Sequence, residues 1–249
     1  MTFIEILLLF VAALFSGAIN AVAGGGTFLT FGALTLIGVP PIAANATSSI
    51  TQFPGYVTST LAYRDDIKRF WREALLLAVV SAGGALLGAM ALLTLDNISF
   101  RLMVPWLLLA ATLLFAVGPR LKPKSTATPR PRANWAGPVI QTVTAVYGGF
   151  FGAGMGVMML ATLGLTGNAD YHRLNAMKNL LSIIVAAVAI IIFVSGGVIS
   201  WPHALAMIPG VALGGYAGVW LARRVPQPVL RALVITVGIG LSLYYFSAS

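Results

Sequence analysis

The sequence predicts an all-α integral membrane protein made of two inverted halves. Three observations lead to this class: the composition, the lengths of the apolar segments and an internal repeat. Hydrophobic residues make up 59% of the 249 positions and charged residues 8%, whereas about a quarter of the residues in soluble domains are charged. So few charges cannot cover a water-facing surface, and most of the chain is expected to lie in lipid. The absence of Cys excludes disulfides and thiolate metal sites.

The apolar segments are separated by short polar or glycine-rich breaks. They cover residues 3–23, 27–38, 43–63, 73–94, 101–118, 134–152, 155–166, 174–195, 203–222 and 228–246. Most of them approach the roughly 20 residues that a spanning helix needs. Two of them, 27–38 and 155–166, contain about 12 residues and would extend only roughly 18 Å as helices. Each of these two short segments follows a glycine-rich break.

A constant offset of 130 in residue number aligns the two halves without a gap. It pairs Gly24 and Gly26 with Gly154 and Gly156. The other matched positions are Asn45–Ala46 with Asn175–Ala176, Trp71 with Trp201, Ala74–Leu75 with Ala204–Leu205, Gly84 and Gly88 with Gly214 and Gly218, and Arg101 with Arg231. Because uncommon residue types coincide at this one offset, we predict an internal repeat.

The basic residues predict how the two halves are oriented. They form clusters at 64–72, 120–132 and 223–231, which the positive-inside rule places in the cytoplasm. Segment 195–202 contains no Lys or Arg and is expected outside. Trp71 therefore lies next to a cytoplasmic cluster, whereas its match Trp201 lies in an outer loop. The halves enter the membrane with opposite orientation, which is typical of secondary transporters. Because the basic residues lie where membrane topology requires them, the net charge of +9 does not indicate nucleic-acid binding.

These observations divide the chain into a first transmembrane repeat at 1–119, a cytoplasmic Pro-rich basic linker at 120–133 and an inverted second repeat at 134–249. Each repeat is expected to hold one glycine-broken helical hairpin and about three spanning helices. The hairpins either re-enter the membrane and return to their starting side or consist of two spanning pieces. The short second piece favours re-entry, which places both termini outside. The expected location is the inner cell membrane, with a homodimer as one option for assembly.

A re-entrant hairpin explains why glycines cluster inside apolar sequence. Backbone that leaves a helix in hydrocarbon costs several kcal/mol per unpaired group unless it is buried in protein or lines a polar cavity, and glycine permits the turn. The turn also directs free N–H groups and the positive dipole end of the next helix at that cavity, which forms an anion site. The predicted contacts are Gly24, Gly25, Gly26, Thr27, Gly154 and Gly156. The alternative is close helix packing, the role we assign to the pairs Gly84 and Gly88 and Gly214 and Gly218.

Polar side chains near the start of two matched apolar segments complete the predicted site. The first set shares one helix face, apart from Thr47, and consists of Asn45, Thr47, Ser48, Ser49 and Gln52. For Ser and Thr the alternative is a bond back to their own helix. The second set consists of Asn175, Lys178 and Asn179. Lys178 lies about four residues inside an apolar helix, where a cation usually faces an interior cavity; the alternative is snorkelling of its stem to the interface.

The other ionisable residues are assigned to the membrane surface. They are Asp65, Asp66 and Glu73 beside a basic cluster, Asp170, His172 and Arg173 before the second polar set, and Glu5 and His203 at segment ends. No positioned nucleophile or acid–base pair is evident, so we do not expect an enzyme. We expect no cofactor and no metal ion.

Two stretches of the sequence resemble a known transporter family. AVAGGGTFLTFGALTLIGVPPIAANATSS, followed by a basic connection, resembles the first half of TauE/SafE-type transporters, and GGFFGAGMGVMMLATLGL with the later NAMKN resembles the second half. The resemblance covers nearly the whole chain and implies outward transport of sulfur-containing anions such as sulfite, sulfoacetate or related sulfonates. It implies substrate contacts at Gly24–Thr27, Asn45–Ser48, Gly154–Gly156 and Lys178–Asn179. The sequence departs from the family pattern at Met155 and has Met177–Lys178 where the first half has Thr47–Ser48, so the site is asymmetric in polarity.

The sequence therefore predicts a secondary transporter that exports a small sulfur-containing anion by alternating access. Its expected partners are that anion and the lipid bilayer, and no nucleic acid. The alternative is an anion channel, or a facilitator driven by the anion gradient, because no buried acid is evident that would couple transport to protons.

Overall fold

All regular structure in the described part of the chain is helical. The computed structural model describes residues 1–68, 70–117, 136–166, 171–222, 224 and 226–248. The helices are α1 Phe3–Ala23, α2 Thr27–Leu36, α3 Pro41–Ala62, α4 Arg64–Ile67, α5 Trp71–Leu93, α6 Asn97–Val117, α7 Ala136–Phe150, α8 Met155–Thr166, α9 Tyr171–Ser195, α10 Trp201–Ala222 and α11 Gln227–Ala248. Ten of these have ten residues or more, and α4 is a single turn. The prediction of a helical membrane protein is confirmed.

Four helices in the described residues are long and apolar enough to cross a membrane. They are Phe3–Ala21, Ala74–Leu93, Asn97–Val117 and Arg173–Ser195. Helix α3 has 22 residues but carries the polar side chains of the first predicted set, which lowers its hydrophobicity. The predicted linker at 120–133 lies outside the described residues.

The helix boundaries repeat along the chain. Helices α3 and α9 begin at Pro41 and Tyr171, whose residue numbers differ by the predicted offset of 130. The same offset separates the first residues of α5 and α10 and those of α6 and α11. The two short helices, α2 and α8, occupy corresponding places after the two glycine-rich breaks.

The two halves are interlocked by glycine contacts between parallel helices. Helix α1 runs beside α10, and α5 runs beside α7. A Cβ on Gly88 of α5 would lie 2.7 Å from the backbone nitrogen of Phe150, and one on Gly214 of α10 would lie 2.9 Å from the carbonyl carbon of Leu14. Gly84 and Gly218 make equally close contacts with backbone. Since only a missing side chain allows this approach, the predicted packing role of these four glycines is confirmed.

Aromatic rings fill the core between the halves. Phe31 of α2 meets the edge of Phe151, which follows α7, at a centroid distance of 5.3 Å. On its other side Phe31 stacks on Tyr245 of α11 at 5.7 Å. Phe100 of α6 contacts Phe151 at 5.8 Å. Three of these rings, those of Phe31, Phe100 and Phe151, have no exposed surface, so α2 is held in the protein interior by aromatic packing against the second half.

Candidate functional site

The helices break where the glycine clusters predicted. Helix α1 ends at Ala23 and α2 begins at Thr27, while α7 ends at Phe150 and α8 begins at Met155. Gly24 has φ +78° and Gly154 has φ +84°. Side chains rarely tolerate this left-handed backbone, which is why glycine is needed at both positions. These two glycines are matched by the offset between the halves.

The two breaks are in direct contact inside the protein. A Cβ on Gly24 would lie 2.7 Å from the backbone nitrogen of Val157, and one on Gly156 would lie 2.7 Å from the Cα of Gly24. The Gly154 backbone N–H donates to the Thr27 hydroxyl at 2.9 Å. Gly25 and Gly26 are buried beside this contact. All six predicted backbone positions thus lie at or next to one crossing point.

Lys178 binds the end of the first broken helix. Its side chain has no exposed surface, so the snorkelling alternative does not hold. The ammonium Nζ donates to the carbonyl of Asn20 and, at 3.4 Å, to that of Ala21. These carbonyls belong to the last turn of α1, the negative end of its dipole, where a cation is favourable. Among the charged side chains that the structure describes, Lys178 is the buried one.

Asn45 binds the end of the second broken helix in the same manner. Its amide Nδ2 donates to the Phe150 carbonyl at 3.0 Å, and its Oδ1 accepts from the Gly152 N–H at 3.1 Å. Phe150 is the position that the offset matches with Asn20. The corresponding carbonyl of each half is therefore bound by a polar side chain from a long helix of the other half: α3 reaches the second break and α9 reaches the first.

A hydrogen-bonded network surrounds the first break. Gln52 donates through Nε2 to the Ser16 hydroxyl and, at 3.3 Å, to the Thr30 hydroxyl, and its Oε1 accepts from Asn20 Nδ2 at 3.3 Å. The Ser48 and Thr30 hydroxyls are 2.6 Å apart. Ser16 in turn donates to the Gly26 carbonyl at 2.5 Å. The network therefore connects α1, α2 and α3 at the first break, and it joins Asn20 to both Gln52 and Lys178.

The remaining predicted site residues lie nearby with different partners. Asn175 and Asn179 have no exposed surface, and Asn179 Nδ2 donates to the Ala21 carbonyl at 3.5 Å. Thr47 faces away from the first-break network and accepts from the Ser200 N–H at 2.9 Å, before α10. Ser49 bonds back to the Asn45 carbonyl at 3.0 Å, as the alternative reading of the hydroxyls allowed.

The ionisable residues at segment ends are placed as follows. Asp65 is exposed and pairs with Lys68 at 3.3 Å and Arg64 at 3.9 Å, which confirms its surface role. Glu5 accepts from the Thr2 N–H at 2.8 Å. His203 Nδ1 lies 2.7 Å from the Ser200 hydroxyl. The side chains of Asp66, Glu73, Asp170 and His172 lie outside the described part of the structure.

Three residues of the first-break network were missed from the sequence. They are Ser16, Asn20 and Thr30. The available signal was weak but present: Ser16 and Asn20 are polar residues one turn apart in an otherwise apolar segment. Such a pair shares a helix face and directs polar groups at one neighbour.

Contacting helix breaks, interlocked halves and a buried cation in a largely apolar chain are features of multi-pass membrane transporters. The chain matches the family model described as sulfite exporter TauE/SafE over residues 9–245. It is 30% identical over 247 residues to a probable membrane transporter protein, ORF9, of Sinorhizobium sp, with 94% of this chain and 90% of that protein covered.

Two further relatives carry the same kind of name. A probable membrane transporter protein of Haemophilus influenzae is 27% identical over 237 residues, covering 92% of this chain and 89% of that protein. The probable membrane transporter protein YfcA of Escherichia coli K12 is 26% identical over 234 residues, covering 92% and 85%. The chain belongs to the TauE/SafE family of membrane transporters, as its motifs indicated.

Proposed function

We propose that this protein is a secondary transporter that exports a small sulfur-containing anion, such as sulfite or an organosulfonate, by alternating access. The observation that carries the proposal is the buried ammonium of Lys178 at the crossing of two broken helices. Around it we place the substrate contacts at the two glycine breaks and at Asn45, Ser48, Gln52, Asn175 and Asn179. Thr47 lies on α3, as Asn45 does, and joins this helix to the backbone of Ser200 just before α10.

The charge balance of the interior supports an anionic substrate. Removing an ammonium from water costs several kcal/mol, and a counter-charge offsets this cost. The described carboxylates that could supply one are Glu5, Asp65 and Asp96, and none of them is buried. The carbonyl partners of Lys178 stabilise the cation but do not neutralise it. A small anion that enters the crossing point would do so.

The arrangement of the helices supports an inverted repeat. Helix α1 of the first half runs parallel to α10 of the second, and α7 of the second half runs parallel to α5 of the first. The offset of 130 matches α1 with α7 and α10 with α5, so each of the two pairs is the counterpart of the other. Two halves that each pack a first helix against the other half can rock about the shared crossing point, which is how alternating access operates in inverted-repeat transporters.

The ends of the broken helices support re-entrant hairpins. Near the start of α10, a cavity of about 650 Å³ is lined by Ile42 of α3 and His203 of α10. Because α1 runs parallel to α10, the α1–α2 pair begins and ends at this end of the molecule. In the second half, Arg173 near the start of α9 lies 5.4 Å from the Phe70 ring, next to the start of α5. The α7–α8 pair therefore begins and ends at the opposite end.

The distribution of basic residues supports a cytoplasmic position for that second end. Arg64 and Lys68 are exposed between α3 and α5, Arg72 is exposed in the first turn of α5, and Arg224 is exposed after α10. The connections at the cavity end, 37–40, 94–96 and 196–200, contain no Lys or Arg. By the positive-inside rule the cavity faces outward, and the inner cell membrane is the proposed location.

Transport by reconstituted protein tests the proposal directly. Liposomes that contain the purified chain are assayed for uptake of radiolabelled sulfite. We expect Lys178→Met, which keeps the stem and removes the ammonium, to lower the initial rate about tenfold or more, because a charge-assisted hydrogen bond is lost. Lys68→Met is the matched control, since the Lys68 side chain is 76% exposed; it should stay within about twofold. Equal rates for the two variants would remove Lys178 from the site.

Turnover separates a carrier from a channel built on the same residues. Rocking of packed helices takes microseconds to milliseconds, so a carrier stays below about 10⁶ anions per second. A carrier also shows faster uptake when unlabelled sulfite is present on the opposite side. Flux above that limit without such stimulation would favour the channel.

A further inference from the structure

We propose that the transported species carries one negative charge and also a hydrogen-bond donor, so that for sulfite the substrate is the protonated form, bisulfite. This inference rests on the proposed function and narrows its substrate. Two independent observations carry it: the number of buried charges, and a buried acceptor next to Lys178 that has no donor.

The number of buried charges favours a monovalent anion. Among the side chains that the structure describes, Lys178 supplies the one buried positive charge at the crossing point. One negative charge neutralises it. A dianion would leave an unpaired negative charge in a buried site, which is strongly unfavourable. Charge balance therefore favours bisulfite over the sulfite dianion. It also favours a simple sulfonate over a sulfonate that carries a carboxylate as well.

The acceptor that carries the argument is Asn179 Oδ1; Asn20 Oδ1, on the residue whose carbonyl binds Lys178, is a second buried acceptor without a donor. Asn179 has no exposed surface, and its Oδ1 makes no hydrogen bond. Its Nδ2 lies 3.5 Å from the Ala21 carbonyl oxygen, which also accepts from Lys178 at 3.4 Å. The carboxamide is thus next to the ammonium. A buried acceptor without a partner costs free energy that a donor on the ligand would recover.

The orientation of this carboxamide is determined by its neighbour. If the amide were flipped, Oδ1 instead of Nδ2 would face the Ala21 carbonyl oxygen, and two acceptors would oppose each other. Nδ2 therefore faces the carbonyl and Oδ1 stays available. A ligand bound to Lys178 through its anionic oxygens can direct an O–H at Asn179 Oδ1, which bisulfite carries and the sulfite dianion does not.

A pair of probes of similar size tests the donor. Sulfite at mildly acidic pH supplies bisulfite, and methanesulfonate supplies a monoanion with a methyl group in place of the hydroxyl. Both are used to inhibit uptake of labelled sulfite into liposomes. We expect the wild-type protein to prefer bisulfite by about tenfold, the worth of one buried hydrogen bond. Asn179→Leu should bring this preference close to one.

The matched control is Gln141→Leu. Gln141 of α7 is also a buried carboxamide with an unpaired oxygen, but its Nε2 donates to Ser81 of α5 at 2.8 Å, away from Lys178. This variant should keep the tenfold preference. Should Asn179→Leu fail to fold, the wild-type ratio still decides: equal inhibition by the two probes overturns the donor requirement.

The charge of the transported species is tested by the reversal potential, the membrane potential at which net flux is zero. At equal pH on both sides, a monovalent substrate shifts this potential by about 59 mV per tenfold concentration gradient and a divalent one by about 30 mV. A slope near 30 mV with intact sulfite transport would overturn the monoanion and leave the proposed function standing. Absence of transport for sulfite, methanesulfonate and thiosulfate alike would instead reject the proposed function.

Discussion

The two helix breaks share the same backbone conformation, but the side chains around them differ. At each break a glycine with positive φ ends a helix, namely Gly24 and Gly154. At each break the corresponding carbonyl, of Asn20 or Phe150, is bound by a side chain from the opposite half. The partner is the ammonium of Lys178 at the first break and the neutral carboxamide of Asn45 at the second.

The surroundings of the breaks differ further in polarity. The first break lies against five hydrogen-bonded polar side chains from α1, α2 and α3: Ser16, Asn20, Thr30, Ser48 and Gln52. The second lies beside the buried apolar side chains of Met155, Val157 and Met159, and its backbone is bonded by Asn45, Thr27 and Tyr147. The two halves thus share the turn, while the buried charge and the network of side chains bonded to one another lie at the first break. An anion held there would be bound asymmetrically, by the cation of one half and the amides of both.

The largest effect should come from adding a methyl group at the crossing point. Gly24→Ala would place its Cβ 2.7 Å from the Val157 nitrogen at a φ of +78°. Overlap with backbone and a strained backbone together should cost about 3 kcal/mol or more, which thermal unfolding in detergent would measure. Gly83→Ala is the matched control, because nothing lies within 4 Å of its added Cβ; it should be neutral or slightly stabilising in the middle of α5. Equal melting temperatures for the two variants would show that the breaks do not touch.

A smaller effect should distinguish the side-chain network of the first break from the matched position in the second half. Gln52 and Ser182 occupy matched positions in the two halves, but Gln52 bonds three side chains, whereas Ser182 donates to the Met159 sulfur at 3.6 Å. Gln52→Leu leaves buried polar groups unpaired and should cost about 1–3 kcal/mol. Ser182→Ala removes one weak bond and should cost about 0.5 kcal/mol or less. Chemical unfolding of the two variants side by side measures the difference. Equal losses would mean that the first-break network is not specific to one half.

Periodicity and residue type predicted much of this architecture. Helix boundaries followed the apolar segments because hydrophobic length is set by the bilayer. The breaks fell at Gly24 and Gly154 because few other residues adopt their backbone conformation. Lys178 was identifiable as an interior residue because a cation inside an apolar segment is costly wherever it has no partner.

The partners of these residues were not predictable from the sequence. Lys178 and Asn45 bind backbone carbonyls, and a carbonyl gives no signal in residue type. Thr47 likewise accepts from the backbone of Ser200, which is distant in the sequence. The first helix of each half packs against a helix of the other half. This arrangement depends on tertiary packing, which a comparison of the sequence with itself at one offset does not reveal.

Equilibrium binding of labelled sulfite to the detergent-solubilised protein tests the central claim most directly, because it measures the site without requiring transport. If the crossing of the two breaks is the anion site, the wild-type protein binds sulfite saturably, and Lys178→Met binds it about tenfold more weakly or worse, with both proteins folded. Sulfite affinity that is the same in both proteins would contradict the account.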